Sequence, residues 1–210
     1  MKKFQELDEE KKSRILEAAL LEFAEEGYEK ASTNNIVKQA GIGKGMLFYY
    51  FKNKKQLYHY LVEYSLTIMQ EEYMSEIDIS ETDFIERMKE VTRLKWEVYV
   101  KHPAVFRFAS TFFLSDMDEL PERLKEQYAS LQENGYALIY KDIDYTLFRE
   151  DVSSEKLFQI IQYFLGGYEE RLRIELKQQL IQLSDFDSYV KEFFEYLDVL
   201  KVTFYKEERQ

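Results

Sequence analysis

Between Gly41 and Lys54 the chain reads GIGKGMLFYYFKNK, with four consecutive aromatic residues, Phe48 to Phe51, set between lysines. Unrolled as a helix at 100° per residue, the run divides. Leu47 and Phe51 share one edge and are candidate core residues. Tyr49 lies opposite, beside Gly45, Met46 and Lys52, and Phe48 and Tyr50 fall at the boundaries. The chemistry open to the outward set is recognition. Glycine lets a second surface come close, methionine can touch a thymine methyl, and a tyrosine can reach a base or a phosphate. The competing reading is that the same face packs on another protein.

Charge separates the two. The chain carries 29 Lys/Arg and 40 Asp/Glu, a net charge of −11, which superficially argues against a nucleic-acid partner. The distribution argues the other way. Residues 1–60 hold 11 Lys/Arg and 9 Asp/Glu, the remaining 150 hold 18 and 31, and from Lys30 to Val62 there are six lysines and no acid. The local patch, not the total, sets the field that a partner meets.

Helices must position this face. With 2 Pro and 7 Gly in 210 residues, the composition favours them. A first helix is expected from about Asp8 to Glu26, with Ile15, Leu16, Ala19, Leu20 and Phe23 inward and Gly27 as its stop. Ser32 is a candidate cap for a short second helix carrying Ile36, Val37 and Ala40 and ending at Gly41. The third runs from about Lys44 to Phe51. Two short helices about a glycine turn make a helix-turn-helix pattern. Asn53, with Gln56 three residues on, can cap a fourth helix reaching about Met74. Lys54 and Lys55 in its first turn oppose the helix dipole unless an anion sits there.

The run from Gly27 to Leu61 resembles the DNA-binding signature of the TetR (tetracycline-repressor-like) family over roughly residues 10–65. The matching positions are Ala40-Gly41, Lys44-Gly45, Leu47, Tyr50-Phe51, Lys54 and Leu57. The resemblance implies an all-α subunit of about nine helices. A helix-turn-helix domain over residues 1–52 would precede a larger effector-binding and dimerisation domain over 53–210. It places Ser32 and Thr33 against phosphates, Lys44, Gly45, Met46 and Tyr49 in the major groove, and Tyr50 and Lys54 on the backbone, within a motif spanning about 32–51. Three residues depart from the family pattern. Gly43 stands where Ser or Thr often caps the helix, Met46 where Thr or Ser is frequent, and Phe48 where Tyr is common.

Beyond residue 65 the pattern is helical, with breaks expected near 77–82, 102–103, 115–121, 145–153 and 183–187. Phe186, Val190, Phe193, Leu197, Leu200 and Phe204 form a heptad-like seam, and Gly166-Gly167 interrupts the helix before it. By the resemblance, the last two helices form a four-helix dimer interface, with Phe164, Gly167, Phe193, Leu197, Leu200 and Phe204 as its candidates. A seam buried within one subunit is the alternative. Trp96, Tyr99, Phe113, Tyr128 and Tyr168 are candidates to line an effector pocket, against the plainer reading that they are core.

There is no cysteine, and the two histidines are His59 and His102, so thiolate and His-rich metal sites are not expected. No phosphate loop or nucleophile motif stands out. His102 has no evident acid–base partner, and His59 reads as a surface residue near the recognition face. No apolar run approaches a membrane span, and the first residues have no signal-peptide character. The expectation is a cytoplasmic, cofactor-free regulator without enzymatic activity. It would be a homodimeric repressor that binds a palindromic double-stranded DNA operator and is released by an apolar or aromatic small molecule. A helical protein–protein interaction module is the alternative.

Overall fold

A computed structural model describes residues 2–113, 120–178 and 186–207. Ten α-helices are found among them, the first a single turn: α1 (Lys2–Gln5), α2 (Glu9–Lys30), α3 (Thr33–Ala40), α4 (Lys44–Phe51), α5 (Lys54–Ile68), α6 (Phe84–Lys101), α7 (Pro103–Phe113), α8 (Glu122–Tyr140), α9 (Ser154–Lys177) and α10 (Phe186–Phe204). Apart from one isolated bridge between Phe148 and Tyr205, the described residues contain no β-structure. The breaks expected near 77–82, 102–103 and 145–153 lie between helices. Those at 115–121 and 183–187 fall largely outside the described residues.

The chain forms two compact units, each drawing on separate stretches of sequence. One comprises Met1–Ser75 and Glu97–Glu133, the other Glu76–Trp96 and Asn134–Gln210. This division differs from the expected boundary at residue 53. The reason is packing: α2 lies along both α3 and α7, and α5 along α2 and α7, so α7 shares the core of the N-terminal helices. Phe23, Tyr58 and Phe108 meet there, with ring centroids 5.2–6.3 Å apart. Arg107 and Arg123 add ion pairs to Glu25 and Glu63, the second bidentate at 2.8 and 2.9 Å.

Two details of this unit are absent from the periodicity. The helix breaks at Gly27 as expected, where φ 69° and ψ 172° are non-helical, but a further short helical stretch follows to Lys30, and the Ala31 N–H returns to the Gly27 carbonyl. Helix α5 ends at Ile68, and the chain then winds on as one π-helical turn, Met69–Tyr73, and one 3₁₀ turn, Met74–Glu76.

The second unit is built around Phe84 and Ile85 of α6, Phe148, Leu157, Phe158, Ile161 and Leu165 of α9, and Phe193 and Leu197 of α10. Arg87 is buried there and forms no ion pair with a carboxylate among the described residues. Its guanidinium donates to the carbonyls of Ile79, Glu81, Leu138, Ile139 and Lys141, so the C-terminal end of α8 supplies the negative potential. The residues just after α10 are tied back: the Lys206 N–H donates to the Leu147 carbonyl and the Tyr205 hydroxyl to Asp83 Oδ1 (2.8 Å). Lys201 bridges Asp83 and Glu86 at 2.8 and 2.7 Å. No helix of the described residues is long and apolar enough to cross a membrane.

Candidate nucleic-acid interface

Helix α4 divides as its sequence requires. Leu47 and Phe51 are buried, whereas Tyr49 is 60% exposed, with Gly45, Lys44 and Lys52 also exposed and Met46 half-buried. The first turn has no side-chain cap, because Gly43 stands at the capping position and can offer none. The helix is held instead by its inner face and by its neighbours.

One neighbour is Phe4 of α1, which is fully buried. Its ring lies 4.7 Å from Phe51, 5.6 Å from Tyr50 and 5.5 Å from Tyr60. Sequence reasoning missed it, since one aromatic in a short charged N-terminus carries no period. The other is the α4–α5 turn. Lys52 adopts φ 59° and ψ −47°, and the Asn53 N–H closes on the Phe51 carbonyl at 2.6 Å, a γ-turn with positive φ that is strained for a residue with a Cβ. Asn53 then caps α5 by accepting from the Gln56 N–H at 2.9 Å.

Helix α3 is anchored by a carboxylate. Glu22, 4% exposed, accepts from the Ser32 N–H (2.7 Å) and from Asn35 Nδ2 (3.3 Å), while Ser32 Oγ accepts from the Asn35 N–H (3.4 Å). The positive end of α3 thus meets a fixed negative charge. A signal for Glu22 was present: Ile15, Ala18, Ala19 and Phe23 mark an apolar stripe, and Glu22 occupies a position inside it. At the other end Gly41 takes φ 66° and ψ 38°, and the Ile42 N–H reaches back to the Val37 carbonyl, which turns the chain sharply into α4.

The expected contact residues therefore collect on one unit, but not with equal freedom. Thr33 opens α3 and is half-buried, as is Ser32. Tyr50 lies between Tyr49 and Phe4. Lys54 is already engaged: its Nζ donates to the Glu29 carbonyl at 3.0 Å and lies 5.1 Å from the Tyr28 ring centroid, so it also ties α5 to the end of α2. His59 adds little charge to this face. Burial, then Lys55 and Arg123, push its pKa down, which leaves it neutral at pH 7.

The expected effector residues are divided between the two units. Tyr99 and Tyr128 belong to the first unit; Trp96 and Tyr168 belong to the second. Tyr168 is core: it packs 4.9 Å from Phe193, and its hydroxyl bonds to Glu192 Oε2 and the Tyr189 carbonyl. The side chain of Phe113 lies outside the described residues. A shallow cleft of about 390 Å³ lies elsewhere, lined by Tyr145, Phe148, Arg149, Val152, Ser154 and Lys206 among others, with none of the five expected residues. His102, for which the sequence offered no partner, has one: its Nε2 lies 3.0 Å from Glu72 Oε2, which also accepts from Lys101.

Of the expected dimer residues, Phe193 and Leu197 are buried within the single chain, whereas Leu200, Phe204 and Phe164 are half-buried against the same core. The apolar side chains left outside lie on other faces of the two helices. They are Ile160, Tyr163 (77% exposed) and Ile174 on α9, and Tyr196, Val199 and Val202 (86% exposed) on α10. Gly167 is exposed among them, and a Cβ built there or at Gly166 would meet nothing within 4 Å.

Residues 15–61 match the family model of bacterial regulatory proteins, tetR family. That segment of the chain is therefore similar to the family's DNA-binding segment. An HTH-type transcriptional regulator of Staphylococcus aureus (strain USA300) is 44% identical over 59 residues, which is 28% of this chain and 32% of that one. The chain thus matches about a third of the length of such curated relatives. Among solved structures, a TetR family transcriptional regulator from Chloroflexus aurantiacus aligns over 99% of both chains with a TM-score of 0.64 and 22% identity. FadR from Bacillus subtilis, solved with stearoyl-CoA, aligns over 88% of this chain and 96% of its own with a TM-score of 0.52 and 20% identity. These likenesses establish the fold along the full chain, and the sequence match of the tetR segment falls on the helices that carry α4.

Proposed function

We propose that the protein is a DNA-binding transcriptional regulator. In this proposal residues 1–52 form the head that enters the major groove, and the protein works as a homodimeric repressor released by a small molecule. One observation carries the reading. A face of exposed Tyr49 and Gly45 with half-buried Met46 stands on α4, at the centre of a stretch with six lysines and no acid. Such a face has few uses in water and suits a polyanion with apolar groups in its groove. Lys44 at the start of α4, Ser32 and Thr33 at the start of α3, and Tyr50 and Lys54 beside α4 are the proposed groove and phosphate contacts.

Tyr163, Val199 and Val202 are the proposed centre of the dimer face, with Gly167 allowing a second α9 to approach closely. A two-fold dimer on DNA requires half-sites one helical turn apart or a multiple of it, about 34–36 Å per turn, hence a palindromic operator. Release requires an effector that binds better to the head spacing that does not fit the operator. Because a neighbour of this fold was solved with stearoyl-CoA, a long-chain acyl-CoA is a reasonable first probe.

The test is a random-sequence operator selection followed by footprinting with the folded protein. Enrichment of a palindrome, protected on both half-sites and lost steeply with salt, is the expected result. Failure to enrich any sequence with a correctly folded protein would remove the DNA reading in favour of a protein partner.

A further inference from the structure

We infer that α4 selects its half-site chiefly by the C5-methyl groups of thymine, contacted by Met46 and the ring of Tyr49, and only secondarily by hydrogen bonds to base edges. The inference rests on the DNA reading above and specifies what that face recognises.

In a helix-turn-helix the N-terminal residues of the recognition helix meet base edges, while the first helix of the pair crosses the backbone. Here those residues are Lys44, Gly45 and Met46, with Tyr49 one turn on. The major-groove code assigns guanine to Arg or Lys, adenine to Asn or Gln, cytosine to Asp or Glu, and the thymine methyl to apolar groups. Helix α4, KGMLFYYF, contains no Arg, Asn, Gln, Asp, Glu, Ser or Thr. Lys44 remains for guanine, but an ammonium is a point charge without the rigid fork that reads guanine bidentately. Met46 and Tyr49 therefore supply most of the surface that can meet a base, and the thymine methyl is the group that rewards it. Gly45 contributes by having no side chain: a Cβ there would meet nothing in the protein, so the space above it is left for the groove. Buried Leu47 and Phe51, with Phe4 against the latter, fix the helix so that Met46 and Tyr49 present the same contact each time.

The experiment uses the full chain and an operator taken from the selection described above. Each thymine is replaced singly by deoxyuridine, which removes only the methyl. At one or two positions in each half-site, affinity should fall about four-fold per methyl, and at those positions a 5-methylcytosine pair should bind better than a cytosine pair. Met46→Gln, a good helix former with an amide suited to adenine, should erase the uracil effect at one position and shift the preferred base there from thymine to adenine. If the operator competes specifically yet every uracil replacement is neutral, the inference is overturned and the DNA reading stands. If no sequence is enriched at all, both fall.

Discussion

Helix α4 and the α9–α10 pair both leave large apolar side chains in water, yet they are surrounded by different charges. Tyr49 stands in a stretch of 33 residues with six lysines and no acid. Tyr163, Val199 and Val202 stand on two helices that together carry eight acidic and six basic residues. An apolar face ringed by a single sign of charge suits a partner of the opposite sign, and the DNA groove offers phosphates at its rim and methyls at its floor. An apolar face ringed by both signs can suit a second copy of itself, since a two-fold axis sets each residue of one copy against the complementary region of the other. In the proposed reading the same physical force, removal of apolar surface from water, is aimed at two different partners by the charges around it.

The largest effect tests the inner and outer faces of α10 against each other. Leu197→Ala should lower the free energy of unfolding by about 2–5 kcal/mol, because a buried leucine leaves a cavity. Val202→Asp should leave the helical circular dichroism of the protomer intact and convert dimer to monomer in analytical ultracentrifugation. A reversed pattern, with Leu197→Ala monomeric but stable, would return the interface to the seam.

These two helices also show what sequence could not decide. The heptad-like spacing of Phe193, Leu197, Leu200 and Phe204 correctly marks a packed face, but periodicity does not name the partner that covers it. Helix α10 has two apolar faces, and the more regular one is claimed by α9 and α6 of the same chain. Helix α4 has only one strongly buried edge, so Leu47, Phe51 and Tyr49 could be placed from spacing alone. Phe4 acts through contacts that are distant in sequence, so local patterns pass over it, whereas Glu22 is marked by its place inside an apolar stripe but its partners Ser32 and Asn35 are not. For the aromatics of the middle helices, spacing places each on a helix face but does not say which unit it joins: Tyr99 and Tyr128 belong to one, Trp96 and Tyr168 to the other.

Glu22 gives the next largest effect. Glu22→Ala removes the acceptor for the Ser32 N–H and Asn35 Nδ2, and hydrogen bonds to a charged group are worth about 1.5–3 kcal/mol. Urea unfolding should show a loss of that size. Glu22→Gln, which keeps one carbonyl oxygen in place, should recover part of it. An Ala variant as stable as the parent would mean that Ser32 Oγ alone suffices to start α3.

A third test asks whether the C-terminal unit is held by charge as well as by its core. Burial works against the ionised Asp83 carboxyl, but the bonds from Lys201 and Tyr205 outweigh it and hold its pKa below the usual value. Glu86 is lowered chiefly by Lys201. Burial likewise disfavours charged Lys201, yet its bonds to Asp83 and Glu86 raise it. Depressed carboxyls contribute above their unfolded values of about 4 and lose that contribution as pH falls through the lower folded ones. A raised lysine contributes fully below about 10.4 and loses it as pH rises through the higher folded one. The stabilisation should therefore be flat between about pH 5 and 10 and decline outside it. Lys201→Gln should cost about 1 kcal/mol or less on that plateau, given partial exposure, and the deficit should vanish at both extremes. A deficit independent of pH would assign Lys201 to packing of its stem.

The smallest effect separates charge from backbone at the edge of the recognition face. Lys52→Ala and Lys52→Gly remove the same ammonium, so each should reduce the slope of DNA affinity against salt by about 1 if that lysine meets a phosphate. They differ in the γ-turn. At φ 59° and ψ −47° a Cβ is strained and glycine is not, so the Gly variant should be more stable than the Ala variant by about 0.5–1 kcal/mol once its larger unfolded-state entropy is subtracted. In most positions outside such turns the order would be reversed. Equal salt slopes with the Gly variant more stable would show that the turn spends backbone strain to set α4 against α5. Equal stabilities would mean that the turn relaxes freely, and that the orientation of Tyr49 depends on Leu47, Phe51 and Phe4 alone.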